Sequence, residues 1–174
     1  NKAKVTVGEI IIPTYPEPPA EEMPMFAENR VHQRTSGRPY PNKVVMQVDR
    51  THKEDKKYKL VTLENEYVKI EILPEIGGRI YSAYDKKTGY DFFYKQHVIK
   101  PALIGVLGSW ISGGVEFNWP FHHRALGFMP CDFTVEELDD GSVVCNLSEH
   151  DPIDRMKGMV SIILRPGETS FETR

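Results

Sequence analysis

The chain has 174 residues, with 22 Lys and Arg against 25 Asp and Glu, 40% hydrophobic and 10% aromatic side chains, 13 Gly and 13 Pro. That length suits one domain and hides about two-thirds of the surface an unfolded chain exposes, and the composition excludes low-complexity disorder and a coiled coil. A net charge of -3 and a pI of about 6.1, with no stretch where Lys and Arg cluster, leave no electrostatic footprint for nucleic acid or an anionic membrane. No apolar run reaches the roughly 18 to 20 residues that cross a bilayer, and the first residues lack the basic-then-apolar order of a signal peptide. The expectation is a cytoplasmic protein that binds neither nucleic acid nor membrane. Asn1 is not a start methionine, so a signal upstream would lie outside this sequence.

A strand-like run from Lys4 to Ile12 comes first, followed by Pro13, Pro16, Pro18, Pro19 and Pro24, and then by Pro39 and Pro41 around Tyr40. Proline removes a backbone donor and blocks helix, so residues 13–42 read as an extended arm. Tyr15, Met23, Met25, Phe26 and Tyr40 are more large apolar groups than a flexible linker carries, which favours an arm docked on the domain. The chain accordingly divides into an N-terminal strand with a Pro-rich arm, residues 1–42, and a β-sandwich region, residues 43–174.

From Val44 onward the hydrophobic period is two. Tyr58 to Leu63 alternates, Tyr67 to Ile72 alternates before Pro74, and further runs cover Arg79 to Tyr84, Asp91 to Tyr94, Val115 to Trp119, Cys131 to Leu138, Ser142 to Ser148, Lys157 to Arg165 and Thr169 to Thr173. Turn signals separate them: Gly77-Gly78, Lys87-Thr88-Gly89, Asp139-Asp140-Gly141, and Pro166-Gly167 in the order a type II turn prefers. Residues 97–107 are the one weak helical candidate. These runs predict a mainly β protein, an antiparallel β-sandwich or part of one. The last run stops just after a turn, which suggests a piece of a longer polypeptide, and an uncovered edge strand invites self-pairing into a homodimer unless further chain covers it.

The two cysteines test the hairpin geometry. Pairing Leu138 with Ser142 sets Cys145 opposite Val135 and leaves Cys131 four residues further along, about 13 Å at roughly 3.3 Å per residue. A disulfide needs Cα atoms within about 7 Å, so two reduced, buried thiols are expected, with a structural role.

Chemistry concentrates in Gly113-Gly114-Val115-Glu116-Phe117-Asn118-Trp119-Pro120-Phe121-His122-His123-Arg124. On an extended chain Glu116 and Asn118 share one face while Val115, Phe117 and Trp119 share the other. A carboxylate, an amide and imidazoles supply the donors and acceptors that sugar hydroxyls need, and Trp offers a plate for the C–H face of a pyranose. Glu116 with His122 or His123 can also work as an acid/base pair. Against this stand plainer readings: Trp119 and Phe121 as core residues, one histidine turned away from any cleft, and Glu116 in an ion pair with Arg79 or Arg124. The spacing matches no structural zinc motif, and no metal or other cofactor is expected. His32, His52 and His150 lie in polar stretches and are expected to be solvated, while the placement of His97 is open.

Residues 66–94, with Leu73-Pro74, Gly77-Gly78-Arg79 and Asp85-Lys86-Lys87-Thr88-Gly89 in that order, resemble the opening of the galactose mutarotase-like superfamily. Pro13-Thr14-Tyr15-Pro16, Pro24-Met25-Phe26 and Gly37-Arg38-Pro39-Tyr40-Pro41 further resemble a domain-of-unknown-function family whose larger members join such a region to tetratricopeptide repeats. The resemblance implies part of a β-supersandwich with a sugar-binding cleft on its concave face, and a carbohydrate ligand. It also implies partnership with the rest of the same polypeptide, and a His acid with a carboxylate base in the epimerase members. By this resemblance Arg79 lines the cleft, the alternative being a surface pair with Glu75 or Asp85. The resulting expectation is a glycoside hydrolase- or sugar epimerase-like half-site, with Glu116, His122 and His123 catalytic and Arg79, Asn118, Trp119 and Arg124 binding substrate. A non-catalytic glycan-binding or structural interaction module is the alternative.

Overall fold

Period-two alternation becomes strands in the computed structural model, which describes residues 1–17, 48–104, 108–119, 127, 129–150 and 155–174. The first sheet is antiparallel and runs in chain order: β1 (Lys4–Thr14), β2 (Glu54–Glu64), β3 (Val68–Leu73) and β4 (Arg79–Asp85). A two-stranded hairpin follows, β5 (Ala102–Ile104) with β6 (Gly108–Trp110). The second four-stranded sheet takes β7 (Asp132–Glu137), β8 (Val143–His150), β9 (Lys157–Leu164) and β10 (Glu172–Thr173) in the order β10-β9-β8-β7. Among the described residues there is no helix, and the molecule is an antiparallel β-sandwich.

Alternate positions of the two sheets face each other. Val61, Leu63, Ile70, Ile72, Ile80 and Ala83 from the first meet Val143, Cys145, Leu147, Val160, Ile162 and Leu164 from the second in one buried cluster. Each such aliphatic side chain contributes roughly 1.5–3 kcal/mol on burial. The opposite face of the first sheet carries a second cluster of Ile12, Tyr58, Leu73, Ile76, Tyr81, Ile99 and Ile111. A bulge makes this arrangement work. Glu71 faces Ser82 but Ile72 faces Ile80, so Tyr81 is an extra residue and turns outward while Ile80 and Ala83 both face the main core.

The two ends of the sandwich differ. At one end the turn after β2 is fastened to the turn after β9 through Asn65, which is 5% exposed. Its amide nitrogen donates to the carbonyls of Arg165 and Glu168, both at 2.8 Å, and its oxygen accepts from the backbone N–H groups of Tyr67 and Val68, also at 2.8 Å. The N–H of Ala3 donates to the carbonyl of Gly141 at the same end. At the other end lie Gly77 and Gly78, whose φ values of 64° and 68° let the chain turn from β3 into β4. The N–H of Gly77 donates to the Met129 carbonyl, and that of Cys131 to the Pro74 carbonyl.

Several expectations change. Within 97–107 the described residues form β5 and no helix, because Ala102 to Ile104 find an antiparallel partner in Gly108 to Trp110. Asp91 to Tyr94 and Val115 to Trp119 are not strands: each region contributes a single bridge, Tyr84 with Asp91 and Ile80 with Val115. The final strand shrinks to Glu172–Thr173. Pro13 and Thr14 belong to β1, whose place at the sheet edge tolerates a proline, so the arm does not begin at residue 13. Tyr15 continues by donating its N–H to Ile99, and the remainder of the expected arm, residues 18–42, lies outside the described residues.

The hairpin geometry holds. Val135 faces Cys145, the Leu138 N–H donates to the Ser142 carbonyl at 2.9 Å, and neither cysteine is in a disulfide. Cys131 is half-buried instead of buried, since it lies just outside β7. Burial, and secondarily Cys131, pushes the Cys145 thiol up to about 12. Burial likewise pushes the Tyr58 phenol up to about 12, against the lowering effect of its hydrogen bond to Thr14. In the unfolded chain these groups titrate near 9 and 10, so above those values the unfolded state has lost protons that the folded state keeps. Stability is therefore expected to fall as pH rises through the window 9–12, and Cys145→Val should flatten the part that begins near 9. Thermal melts from pH 7 to 11 check both, and a curve unaltered by Cys145→Val would refute the assignment.

Candidate functional site

Val115 docks on the outer edge of β4 by exchanging both backbone hydrogen bonds with Ile80, at 2.9 and 3.2 Å. The bend before it depends on Gly114, at φ 70°, where a Cβ would stand 1.9 Å from the Ile80 carbonyl oxygen. Beyond Val115 the alternation expected from sequence persists without a sheet ladder: Val115, Phe117 and Trp119 pack against the main core. Glu116 is half-buried and Asn118 exposed, on the other side of the segment. The register of the bridge sets Glu116 alongside Arg79.

Arg79 is 3% exposed, so it is not a surface residue paired with Glu75 or Asp85. Its Nη1 donates to the carbonyls of Ile111 at 2.7 Å and Gly113 at 2.9 Å, which fixes the loop leading into Gly114 and Glu116. Glu75 instead accepts from the Lys59 backbone N–H, and Asp85 from the Lys87 N–H and the Thr88 hydroxyl. Those two donors hold the Asp85 carboxyl below its ordinary value.

Trp119 is half-buried, and its indole lies against Gly158 so closely that a Cβ there would fall 2.0 Å from the ring. With Phe117, Asn118, Met159, Val160, Thr173 and Arg174 it lines a shallow cleft of about 270 Å³. Gly158 faces Glu149 across β8 and β9, and Glu149 is 6% exposed on the core side of β8. Motif reading does not single out this buried carboxylate. A signal for it exists, since Val143, Cys145, Leu147 and Glu149 share one face at period two. His122, His123 and Arg124 lie outside the described residues; His52, His97 and His150 are exposed. Among the described residues no three His, Cys, Asp or Glu side chains are placed to hold a metal ion.

A larger cavity, about 650 Å³, opens at the same end of the sandwich, on the β1–β2 side. Thr14, Tyr15, Tyr58, Ile76, Ile99 and Phe133 are among its lining residues. The Tyr58 and Thr14 hydroxyls hydrogen bond to each other at 2.9 Å. Neither Glu116 nor Asn118 lines this cavity. No sequence motif points to it, because its walls come from separate stretches of chain.

The fold thus defines an antiparallel β-sandwich with polar groups and a cavity gathered at one end. Residues 36–174 match the family described as Domain of unknown function (DUF5107), and the chain belongs to that family. A similar solved structure is the crystal structure of a TPR-domain containing protein from Parabacteroides distasonis ATCC 8503, with a TM-score of 0.76 at 20% sequence identity. The likeness covers 99% of this chain and 28% of that one, so the chain spans little more than a quarter of that protein.

The Arg79 clamp is open to test. Arg79→Met leaves two inward-facing carbonyls without their donor and is expected to cost roughly 2–4 kcal/mol. Urea titration measures it, and a loss below about 0.5 kcal/mol would mean that the loop does not rely on this guanidinium.

Proposed function

We propose that this chain is a carbohydrate-recognition region that contributes one part of a carbohydrate-active site in a larger protein. The observation that carries the reading is the split of residues 115–119. Val115, Phe117 and Trp119 are spent on the core, which leaves Glu116 and Asn118 on the other side of a segment clamped by Arg79. A rigidly held carboxylate beside an amide accepts and donates hydrogen bonds to vicinal hydroxyls, the chemistry sugar recognition requires. The resemblance of residues 66–94 to the galactose mutarotase-like superfamily supports the same ligand class and a supersandwich architecture for the complete domain. In this reading Glu116 is acid, base or hydroxyl anchor, Asn118 orients substrate, and Arg79 is a positioning residue. His122 or His123 would supply the acid and Arg124 a further substrate contact. The likeness to a TPR-domain containing protein supports a partner region of tetratricopeptide repeats within the same polypeptide.

A second reading, glycan recognition without turnover, is favoured by one feature. Nη1 of Arg79 is committed to two backbone carbonyls, and Trp119 lies on Gly158 as a core residue would, so both act as scaffold.

The longest form of the polypeptide should be screened against oligosaccharides and aryl glycosides, recording heat of binding and released reducing sugar together. Product formation that falls by about 10²–10⁴-fold in Glu116→Gln is expected for the catalytic reading. Saturable heat without product selects the recognition module. Absence of both signals across the panel would remove carbohydrate from the account.

A further inference from the structure

A sheet edge offers unpaired backbone groups to any strand that reaches it, and proteins ordinarily guard such edges by shortness, charge or cover. Three of the four outer edges of the two sheets are guarded in this way. β4 is met by the Asp91 and Val115 bridges, β10 has two residues, and β7 carries Asp132, Glu136 and Glu137 among its six. β1 is eleven residues long and is secured beside its ends. The Ala3 N–H donates to Gly141, the Pro13 carbonyl accepts from Ile99, and the Tyr15 N–H donates to Ile99. These odd-numbered residues turn their backbone away from β2, so by the period of the strand Val5, Val7, Glu9 and Ile11 do the same. Among the described residues no backbone group bonds to the outward N–H and C=O of those four.

We propose that β1 pairs antiparallel with β1 of a second copy of this chain across a two-fold axis at Gly8, joining the two first sheets into one of eight strands. The open stretch is its own complement. Residues 5–11 are centred on Gly8, so a register in which Val5 meets Ile11 and Val7 meets Glu9 of the second copy engages every outward group. Shifting it by two residues one way sets Glu9 against Glu9 and Val5 against Pro13, which has no N–H. Shifting it the other way sets Ile11 against Ala3, whose N–H is already given to Gly141. In the centred register charged residues fall opposite neutral ones: Glu9, paired with Lys57 of its own copy at 3.1 Å, meets Val7, and Lys4 meets Ile12. Val7 and Ile11 are 47% and 62% exposed on one copy, and Ile11 gains Val5 as a β-branched cross-strand neighbour. Gly8 lies in mid-strand where a Cβ would meet nothing within 4 Å, so packing within one copy does not require a glycine there. At the axis the two Gly8 residues form the pair without hydrogen bonds, where Cα atoms approach to about 4.5 Å. The assembly sets the two β4 edges, each with its Val115 bridge, at the outer ends of the sheet, roughly 34 Å apart at about 4.8 Å per strand. It uses none of the residues assigned to carbohydrate above and stands independently of that reading.

One strand pair is a small interface, below the roughly 1,200 Å² of stable complexes, so sedimentation velocity of the full chain over roughly 5–500 µM is expected to show a reversible monomer–dimer equilibrium. Val7→Pro removes only an outward N–H and, like Pro13, should be accepted by the edge strand. It is expected to weaken dimerisation at least tenfold with an unchanged circular dichroism spectrum; if that variant unfolds, cross-linking decides alone. Under mild oxidant Gly8→Cys should form a disulfide between copies, since Cα atoms about 4.5–5.5 Å apart allow one, whereas Thr6→Cys, set opposite Ile10, should not. Both are read above the level that Cys131 and Cys145 give in the unaltered chain. A monomer throughout the range, dimerisation indifferent to Val7→Pro, or equal cross-linking of Thr6→Cys and Gly8→Cys would overturn the proposal. So would a monomeric longest form of the polypeptide over the same range, because a strand of its own chain would then cover the edge.

Discussion

The apolar layer shared by β2–β4 and β8–β9 is the interaction from which the other features follow. Leu63, Ile70, Ile72, Leu147, Ile162 and Leu164 are essentially sealed from solvent, and their burial supplies the free energy that orders both sheets. It also dictates where polar groups can go. Once alternate side chains are committed inward, the remaining positions of the first sheet face outward, and there a second apolar cluster forms around Tyr58, Tyr81 and Ile111. A sheet apolar on both faces needs cover on both. The cover on the outer face comes from Ile99, Pro101 and Ile111, and the cavity lies where that cover stops.

Much of this architecture is written in local patterns. Alternation locates the long strands, and Asp139-Asp140-Gly141 sets the hairpin register down to Val135 opposite Cys145. Sequence patterns are weakest where structure depends on distant partners. An apolar run such as Ala102-Leu103-Ile104 carries no period, so strand and helix cannot be separated there. Residues 115–119 alternate like a strand yet hold one bridge, because after Val115 the segment finds a core to pack on but no ladder to join. The burial of Arg79 is not readable either. Charge predicts a surface position, and the carbonyls of Ile111 and Gly113, more than thirty residues away, are among the partners that make the interior acceptable. For the candidate site, the sidedness of Glu116 and Asn118 is accessible from sequence, whereas the larger cavity is not, being assembled from chain segments that share no motif.

The glycines of the open end are constrained by approach as much as by turning. Gly77, Gly114 and Gly158 each sit where a Cβ would collide, with the Gly127 backbone, the Ile80 carbonyl and the Trp119 ring respectively. Three close approaches near one end set the Gly127 backbone on the β3–β4 turn, Gly114 on β4 and the Trp119 ring on β9. That density fixes the backbone on either side of Glu116.

Asn65 has a mechanical consequence. Two of its four hydrogen bonds, to the Arg165 and Glu168 carbonyls, reach a turn of the other sheet while the two it accepts from Tyr67 and Val68 fix its own turn, so at that end the layers are riveted. The opposite end is fastened by a different chemistry, the backbone hydrogen bonds from Gly77 to Met129 and from Cys131 to Pro74. The sandwich is therefore pinned twice, by a side chain at one end and by main chain at the end that carries the polar groups. A single substitution at residue 65 removes the first pin, whereas the second has no side chain to remove.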